Sequence, residues 1–283
     1  MDELLRARLR VATGADLRIR ALRWTMSAVD LVSRAATGHA FFALRETERI
    51  LIELDGRTGP EMVRTVLAMQ GGTTITAHGL DNIPADGPVV IGATHPIGTF
   101  DFFAHAGALF EHRPDLKVVA NREAERFLGA GRIVAVDLNR KDRVLSPHQT
   151  RAGMQAHLED GGALLVFGSG RVPDMVDGRL VEPPWRQGIT RVSAATGAPI
   201  VPASADMRNS RHYYRTRRLA RILSGGNDNI GREVASLRYV SELLIKLGGR
   251  YDVHYGPVLP PGTLPETLKT TAESLIPGLY RPP

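Results

Sequence analysis

The spacing of apolar positions changes near residue 72. Upstream, Leu22, Met26, Val29 and Ala36 recur at helical intervals, so residues 1–71 read as helical. Thr58, Pro60 and Glu61 form an expected capping box with proline in the first turn, and Gly71 supplies a stop. From Thr73 the runs become short and β-branched: TITAHGL, VVIGA, LKVVA, RIVAV, ALLVF, APIVPAS and YDVHYG each predict a strand. Helical stretches alternate with them. One begins at Ser146, where Pro147 and Gln149 complete a second capping box, and stops at Gly161 and Gly162. GGNDN (225–229) reads as a loop and GREVASLRYVSELLIKL (231–247) as one amphipathic helix. Beyond Gly256 the stretch PVLPPGTLP predicts little regular structure, with one short helix before PGLYRPP. Alternating strands and helices predict an α/β sheet with ligands at the strand ends. The expected division is an N-terminal helical subdomain (1–71), an α/β domain (72–260) and a C-terminal tail (261–283). The helical subdomain is expected to pack on the core, to form a membrane-apposed lid that helps build an acyl or lipid channel, or to do both.

Composition narrows the chemistry. With 283 residues, 43% hydrophobic and 23% charged, the chain can bury a full core. It has no cysteine, which excludes disulfides, thiolate zinc sites and a cysteine nucleophile. No apolar run approaches the ~18–20 residues of a spanning helix. The segment MDELLRARLR lacks the apolar core and cleavage site of a secretory signal. The expected location is therefore the cytoplasmic side, as a peripheral protein on the inner-membrane face.

Charge then points to partners. Lys and Arg outnumber Asp and Glu by 36 to 30, for a net charge of +6. Arg6, Arg8, Arg10, Arg18, Arg20 and Arg23 crowd one end, and RHYYRTRRLAR (211–221) interleaves Tyr213 and Tyr214 with five arginines. Such a surface suits an anionic membrane, an acidic carrier protein or single-stranded nucleic acid. No zinc-finger or RNA-recognition signature accompanies it, so nucleic acid is not an expected partner.

Two segments carry candidate chemistry. In GATHPIGTFD (92–101), His95 leaves an apolar strand run and Asp101 follows six residues on. An imidazole can accept a proton near neutral pH, and a carboxylate can hold its other nitrogen in the required tautomer. Asp101 also suits the first turn of a helix, and Gly98 gives the loop its turn freedom. A metal set of His95, Asp101 and His105 is the alternative for this stretch, with no second carboxylate–histidine pair to support it. In ALLVFGSGRV (163–172), Phe167 ends a strand run and Gly168, Ser169 and Gly170 form a turn. Backbone N–H groups of such a turn can hold a phosphate or a developing oxyanion, and Arg171 can clamp an anion. Ser169 is no hydrolase nucleophile of the G-x-S-x-G kind, because Phe167 stands where that motif needs glycine.

The blocks HPIGTFD, FGSG, PPWRQG and APIVPAS occur in an order that resembles the glycerolipid acyltransferase family, of the lysophosphatidate acyltransferase type. They are most similar to a bacterial branch of lyso-ornithine-lipid acyltransferase-like and hemolysin-like proteins, over roughly residues 72–260. The resemblance implies an α/β fold with a mixed sheet flanked by helices. It implies an acyltransferase that moves a fatty acyl chain from acyl carrier protein or coenzyme A to a lyso-lipid hydroxyl, without bound cofactor or metal. The acceptor is lysophosphatidate, a lyso-aminolipid such as lyso-ornithine lipid, or glycerol phosphate. His95 would be the general base and Asp101 its orienter. Arg186 matches a position where the family carries Lys or Arg, and Arg140 lies near its second block, usually ending I-D-R. The chain departs from the pattern in two ways. His95 and Asp101 are one residue further apart than the commonest form, and Gly168 and Ser169 stand where P-E or P-A is usual. A non-catalytic lipid-binding protein on the same fold and a metal-dependent hydrolase are the alternative readings.

Overall fold

The computed structural model describes Asp2, residues 14–136 and residues 146–282. The fold is α/β. Its strands are β1 (Thr74–His78), β2 (Val89–Ala93), β3 (Lys117–Asn121), β4 (Ile133–Val136), β5 (Ala163–Phe167), β6 (Asp174–Val176), β7 (Arg179–Val181), β8 (Ile200–Ala205) and β9 (Arg250–Tyr255). The described α-helices are α1 (Asp16–Thr37), α2 (Leu44–Glu53), α3 (Gly59–Ala68), α4 (Thr99–Leu109), α5 (Glu125–Leu128), α6 (Pro147–Glu159), α7 (Gly188–Thr196), α8 (Arg211–Leu223), α9 (Asp228–Ser236), α10 (Tyr239–Lys246) and α11 (Pro265–Ser274). Contacts divide the chain into two compact units, one of residues 57–208 and 247–283, the other of residues 1–56 and 209–246.

The first unit holds a seven-stranded sheet in the order β1-β9-β8-β2-β5-β3-β4. The pair β8–β9 is antiparallel and the other pairings are parallel, so the sheet is mixed. Each of the seven apolar runs predicted as strands contributes one. Every residue of β2 and β8 is buried, which explains the unbroken apolar sequence of β2 and the near-apolar one of β8: a central strand is covered on both faces. Edge strand β1 alternates half-buried and exposed positions instead. One core cluster joins Val90, Leu164 and Ile200 of the sheet to Met154, Ile189, Val192 and Leu268 from α6, α7 and α11. Helix α4 packs on β1, β8 and β9.

Several local expectations are corrected. The α6 capping box forms as expected, with Ser146 Oγ accepting from Gln149 N and Gln149 Oε1 accepting from Ser146 N. Thr58 is extended at the N-cap position, φ −137° and ψ 164°, but caps nothing with its side chain; the first helical residue, Gly59, instead enters the helix at φ +56°. The helix expected over 231–247 is broken into α9 and α10. At the break, Arg238 turns inward, stacks over Phe41 at 5.0 Å and pairs with Glu242 at 3.4 Å. The loop expected at 225–229 is already helical from Asp228, since Asn227 Oδ1 caps α9 by accepting from Asn229 N. Strands β6 and β7 were not predicted. They form a hairpin whose two-residue turn, Asp177 and Gly178, has positive φ at both positions (50° and 77°), the primed geometry that Asp-Gly favours.

In the second unit, α1 buries a face through Ile19 and Asp30, while Val29 and Ala36 of the expected stripe are exposed. Asp30 is buried and accepts N–H groups from Phe42, Ala43 and Leu44, the unsatisfied donors at the start of α2. Asp30→Ala should strand all three. The expected cost is roughly 2 kcal/mol, read as amide hydrogen exchange at these positions about thirtyfold faster; unchanged exchange would show that water replaces the carboxylate without loss.

Candidate active site

Strand β2 lies between β5 and β8. In open α/β sheets of this kind, ligands bind beyond the carboxyl ends of the central strands, and β2, β5 and β8 occupy that place in the strand order. His95 sits just past the end of β2. Thr94 is tied down by its N–H to Ala203 O at 3.1 Å, and its hydroxyl lies 2.9 Å from Ser204 Oγ. The loop then turns at Gly98, whose φ of 101° and ψ of −101° are closed to side-chain-bearing residues.

Asp101 occupies the first turn of α4 and is fully buried. Its carboxylate accepts from Ile97 N at 3.0 Å and from Gly98 N at 2.8 Å. These bonds, with the positive end of the α4 dipole, offset the desolvation of a buried carboxylate. Oδ2 also lies 2.9 Å from His95 Nδ1. The contact is close, but Nδ1 makes no hydrogen bond among the described residues, so the oxygen sits beside the line of the ring nitrogen rather than on it. The His95 side chain keeps 18% of its surface exposed. Its other face stacks on the Phe167 ring, with centroids 4.3 Å apart and planes 30° apart.

His105, one turn further along α4, is fully buried with Nδ1 3.2 Å from Tyr255 Oη and Nε2 unpartnered. Burial, reinforced by the neighbouring His95, pushes its pKa down to about 3. Among the described residues no group of three or more His, Asp or Glu side chains is arranged to hold a metal ion.

The second turn reaches the same place from β5. Gly168 N donates to Ala93 O at 3.0 Å, joining it to the end of β2. Gly170 N donates to Phe167 O at 3.0 Å, and Arg171 N donates to Ser169 Oγ at 3.2 Å. Three of the four N–H groups expected to cradle an anion are therefore engaged within the protein. The Ser169 N–H has no acceptor among the described residues. Arg171 is exposed, and its guanidinium has no ion-pair partner among the described residues. Arg186 lies against the turn, donating from Nε to Ser169 O at 3.2 Å while its N–H donates to Gly168 O at 3.0 Å. The structure thus brings together His95, Gly98, Asp101, Phe167, Gly168, Ser169, Gly170 and Arg186. Arg140 lies outside the described residues.

Residues that sequence reasoning missed surround this pair of turns. Trp185 fills the space over Gly168, where a Cβ would collide with the indole. Glu182, between β7 and Trp185, is buried and accepts from Trp185 Nε1 at 3.1 Å. Tyr280 pairs with Leu180 through the backbone and brings its hydroxyl within 3.5 Å of Ser204 Oγ. Burial pushes the Tyr280 pKa upward, with the Glu182 charge acting in the same direction. The paired glycines and PPW offered a signal for Trp185. The tail that buries Tyr280 offered none.

Residues 74–206 match the family model described as Acyltransferase, a span that runs from β1 to just past β8 and includes both turns. Among solved structures, a similar chain is the 1-acyl-sn-glycerophosphate (LPA) acyltransferase PlsC from Thermotoga maritima, at 14% identity and a TM-score of 0.46 over 92% of this chain and 96% of that one. Among curated proteins none matches the chain.

The buried, neutral His105 makes folding pH-dependent. Its folded pKa is depressed from 6.5 to about 3, so below pH 6.5 the unfolded chain binds a proton that the folded one refuses. This contribution to stability is complete above pH 6.5 and is lost as pH falls towards 3, by up to about 1.4 kcal/mol per pH unit. In urea unfolding across this range, the stability difference between wild type and His105→Gln should shrink by that slope as pH falls. A difference independent of pH would contradict the assignment.

Proposed function

We propose that the protein is an O-acyltransferase that moves a fatty acyl chain from an acyl carrier protein or coenzyme A thioester to the hydroxyl of a lyso-lipid. The observation that carries this reading is the His95–Asp101 contact of 2.9 Å, with Asp101 wholly buried and His95 partly open to solvent. The Acyltransferase match across both turns supports it. In this reading His95 accepts the proton of the acceptor hydroxyl, and the oxygen attacks the thioester carbonyl carbon. Collapse of the tetrahedral intermediate breaks the C–S bond, and the imidazolium returns its proton to the departing thiolate. Asp101 stabilises the positive charge on the ring in between. The Ser169 N–H suits the developing oxyanion, and the exposed Arg171 suits a phosphate or carboxylate on the acceptor. Lysophosphatidate and a lyso-aminolipid such as lyso-ornithine lipid both carry such a group next to the hydroxyl. No metal or resident cofactor takes part.

We further propose that the protein works at an anionic membrane surface, on the cytoplasmic face of the inner membrane. No helix among the described residues is long and apolar enough to cross a bilayer. The arginine and tyrosine clusters named from sequence are only partly available for such a role. Tyr213 is buried, and Arg217 is buried against Asp228 at 3.1 Å. Arg23 pairs with Glu48, and Arg6, Arg8 and Arg10 lie outside the described residues. What stays exposed is Arg18 and Arg20 on α1 and Arg211, Arg215 and Arg218 on α8. Large apolar side chains stand exposed on the same two helices: Trp24 (76%), Leu31 and Leu17 on α1, and Leu223 (78%), Ile222 and Leu219 on α8. Basic groups beside exposed Trp and Leu suit a headgroup layer, which favours each basic residue by about 1 kcal/mol.

Two results are expected. His95→Ala should lower acyl transfer roughly 10²–10⁴-fold while keeping the wild-type circular dichroism spectrum, measured with purified protein, acyl-carrier-protein or coenzyme A thioester and lysophosphatidate or lyso-ornithine lipid; a folded variant with near-normal turnover ends the general-base assignment. In co-sedimentation, the protein should bind phosphatidylglycerol-rich vesicles at low salt, lose binding as salt rises, and bind more weakly as Trp24→Ser or Leu223→Ser. Binding indifferent to both salt and these substitutions would remove these helices from membrane attachment.

A further inference from the structure

Glu182 is a carboxylic acid 4% exposed in the interior beneath the second turn. It has one firm partner: Oε1 accepts from Trp185 Nε1 at 3.1 Å, while Oε2 has no hydrogen-bond partner among the described residues. Ser169 lies close enough to influence it, although its hydroxyl proton is given to Arg171 O at 2.9 Å. The indole that Glu182 holds is not a remote piece of core. It lies over Gly168, and it also reaches Gly92 of β2. The next residue, Arg186, laces the same turn through Gly168 O and Ser169 O. On its far side the turn carries Phe167, stacked on His95, and the unengaged Ser169 N–H.

We propose that Glu182 is a positioning residue: through the Trp185 indole, its carboxyl group holds the 167–170 turn in place against His95. The inference rests on the acyl-transfer reading for its consequence, and on the geometry alone for its mechanism. Were the indole released, nothing else in the segment would fill the space over Gly168. Phe167 and Ser169 would then lose their fixed distance from the imidazole, and displacements of about 1 Å at a reacting centre can cost of order 10²-fold in rate.

The same surroundings decide the protonation state in which Glu182 does this. Burial pushes its pKa up to about 8, against the opposing influence of the nearby Ser169 hydroxyl and of the Trp185 hydrogen bond. The charged groups facing it are Glu273 and Lys269 of α11, which push in opposite directions, and the Tyr280 hydroxyl, which also feels its charge. Below pH 8 the group is a neutral acid that can accept from the indole at no electrostatic cost. Above pH 8 it becomes a buried carboxylate with one unpartnered oxygen, a state that favours opening of the segment. Because the folded pKa is raised, the associated folding stability is present at acid pH and is lost as pH rises towards 8.

The test uses the two tryptophans, Trp24 and Trp185. In a Trp24→Phe background the emission of Trp185 should titrate with a midpoint near pH 8, and the transition should vanish when Glu182→Gln is added. In parallel, kcat/KM for acyl transfer should decline above pH 8 in the wild type, whereas Glu182→Gln, which keeps an acceptor for the indole and cannot ionise, should hold its activity into that range. Glu182→Ala should lower kcat at least about tenfold with little change in donor KM. An emission transition that survives Glu182→Gln, or pH profiles that coincide in the two proteins, overturns the proposal. If the emission behaves as expected while neither protein transfers an acyl group, the Glu182–Trp185 link stands and the acyl-transfer reading fails.

Discussion

One buried carboxylate organises this site. Asp101 accepts the N–H groups of Ile97 and Gly98 and touches the His95 ring. A carboxylate taken out of water is tolerable only if donors replace the water it loses. Here the donors come from the loop it must shape, so the cost of burial is offset by the bonds that fix the loop. The left-handed turn at Gly98 lets the backbone fold back to present those N–H groups, and the start of α4 contributes its dipole. The position of the imidazole is therefore not set by His95 itself. It follows from the contest between desolvating Asp101 and satisfying it.

The sheet turns this local arrangement into a site. β2 lies between β5 and β8, and its five buried residues anchor it in both directions. The turn after β5 is bonded to the end of β2 through Gly168 N and Ala93 O, and the loop after β2 to the end of β8 through Thr94 N and Ala203 O. Glycine recurs where these pieces meet: a Cβ at Gly168 would collide with the Trp185 ring, and one at Gly92 would lie only 3.3 Å from it. The indole and the two glycines act as one packing unit, and its polar edge is closed by the buried Glu182 carboxyl group, which accepts from Trp185 Nε1.

Much of this was legible in the sequence, for identifiable reasons. Strands in the middle of a parallel sheet are apolar without interruption, so VVIGA, ALLVF and APIVPAS announce themselves. The approach of His95 to Asp101 was readable because the two residues lie six positions apart, between a strand exit and the first turn of a helix. The cradle of N–H groups was overestimated, because spacing does not reveal that Ala93 O, Phe167 O and Ser169 Oγ already accept three of them. The tyrosine and arginine cluster at 211–221 looked like a uniform basic surface. In the fold one helical face of it is buried through Tyr213 and Arg217, a distinction that depends on α9 packing alongside. Glu182 and Tyr280 were invisible: nothing near them in sequence marks them as polar groups to be buried, and their burial comes from a tail that returns to pair with β7 at Leu180.

The central claim is that His95 and Asp101 work as a single unit in proton transfer. A double-mutant cycle on kcat/KM for acyl transfer, with His95→Ala, Asp101→Asn and the two combined, tests it most directly. Groups that act as a unit are strongly non-additive, so the account predicts that the double variant is no slower than His95→Ala alone. Fully additive losses would contradict it, and would leave Asp101 with the task of holding the Ile97 and Gly98 backbone and no part in the chemistry of His95.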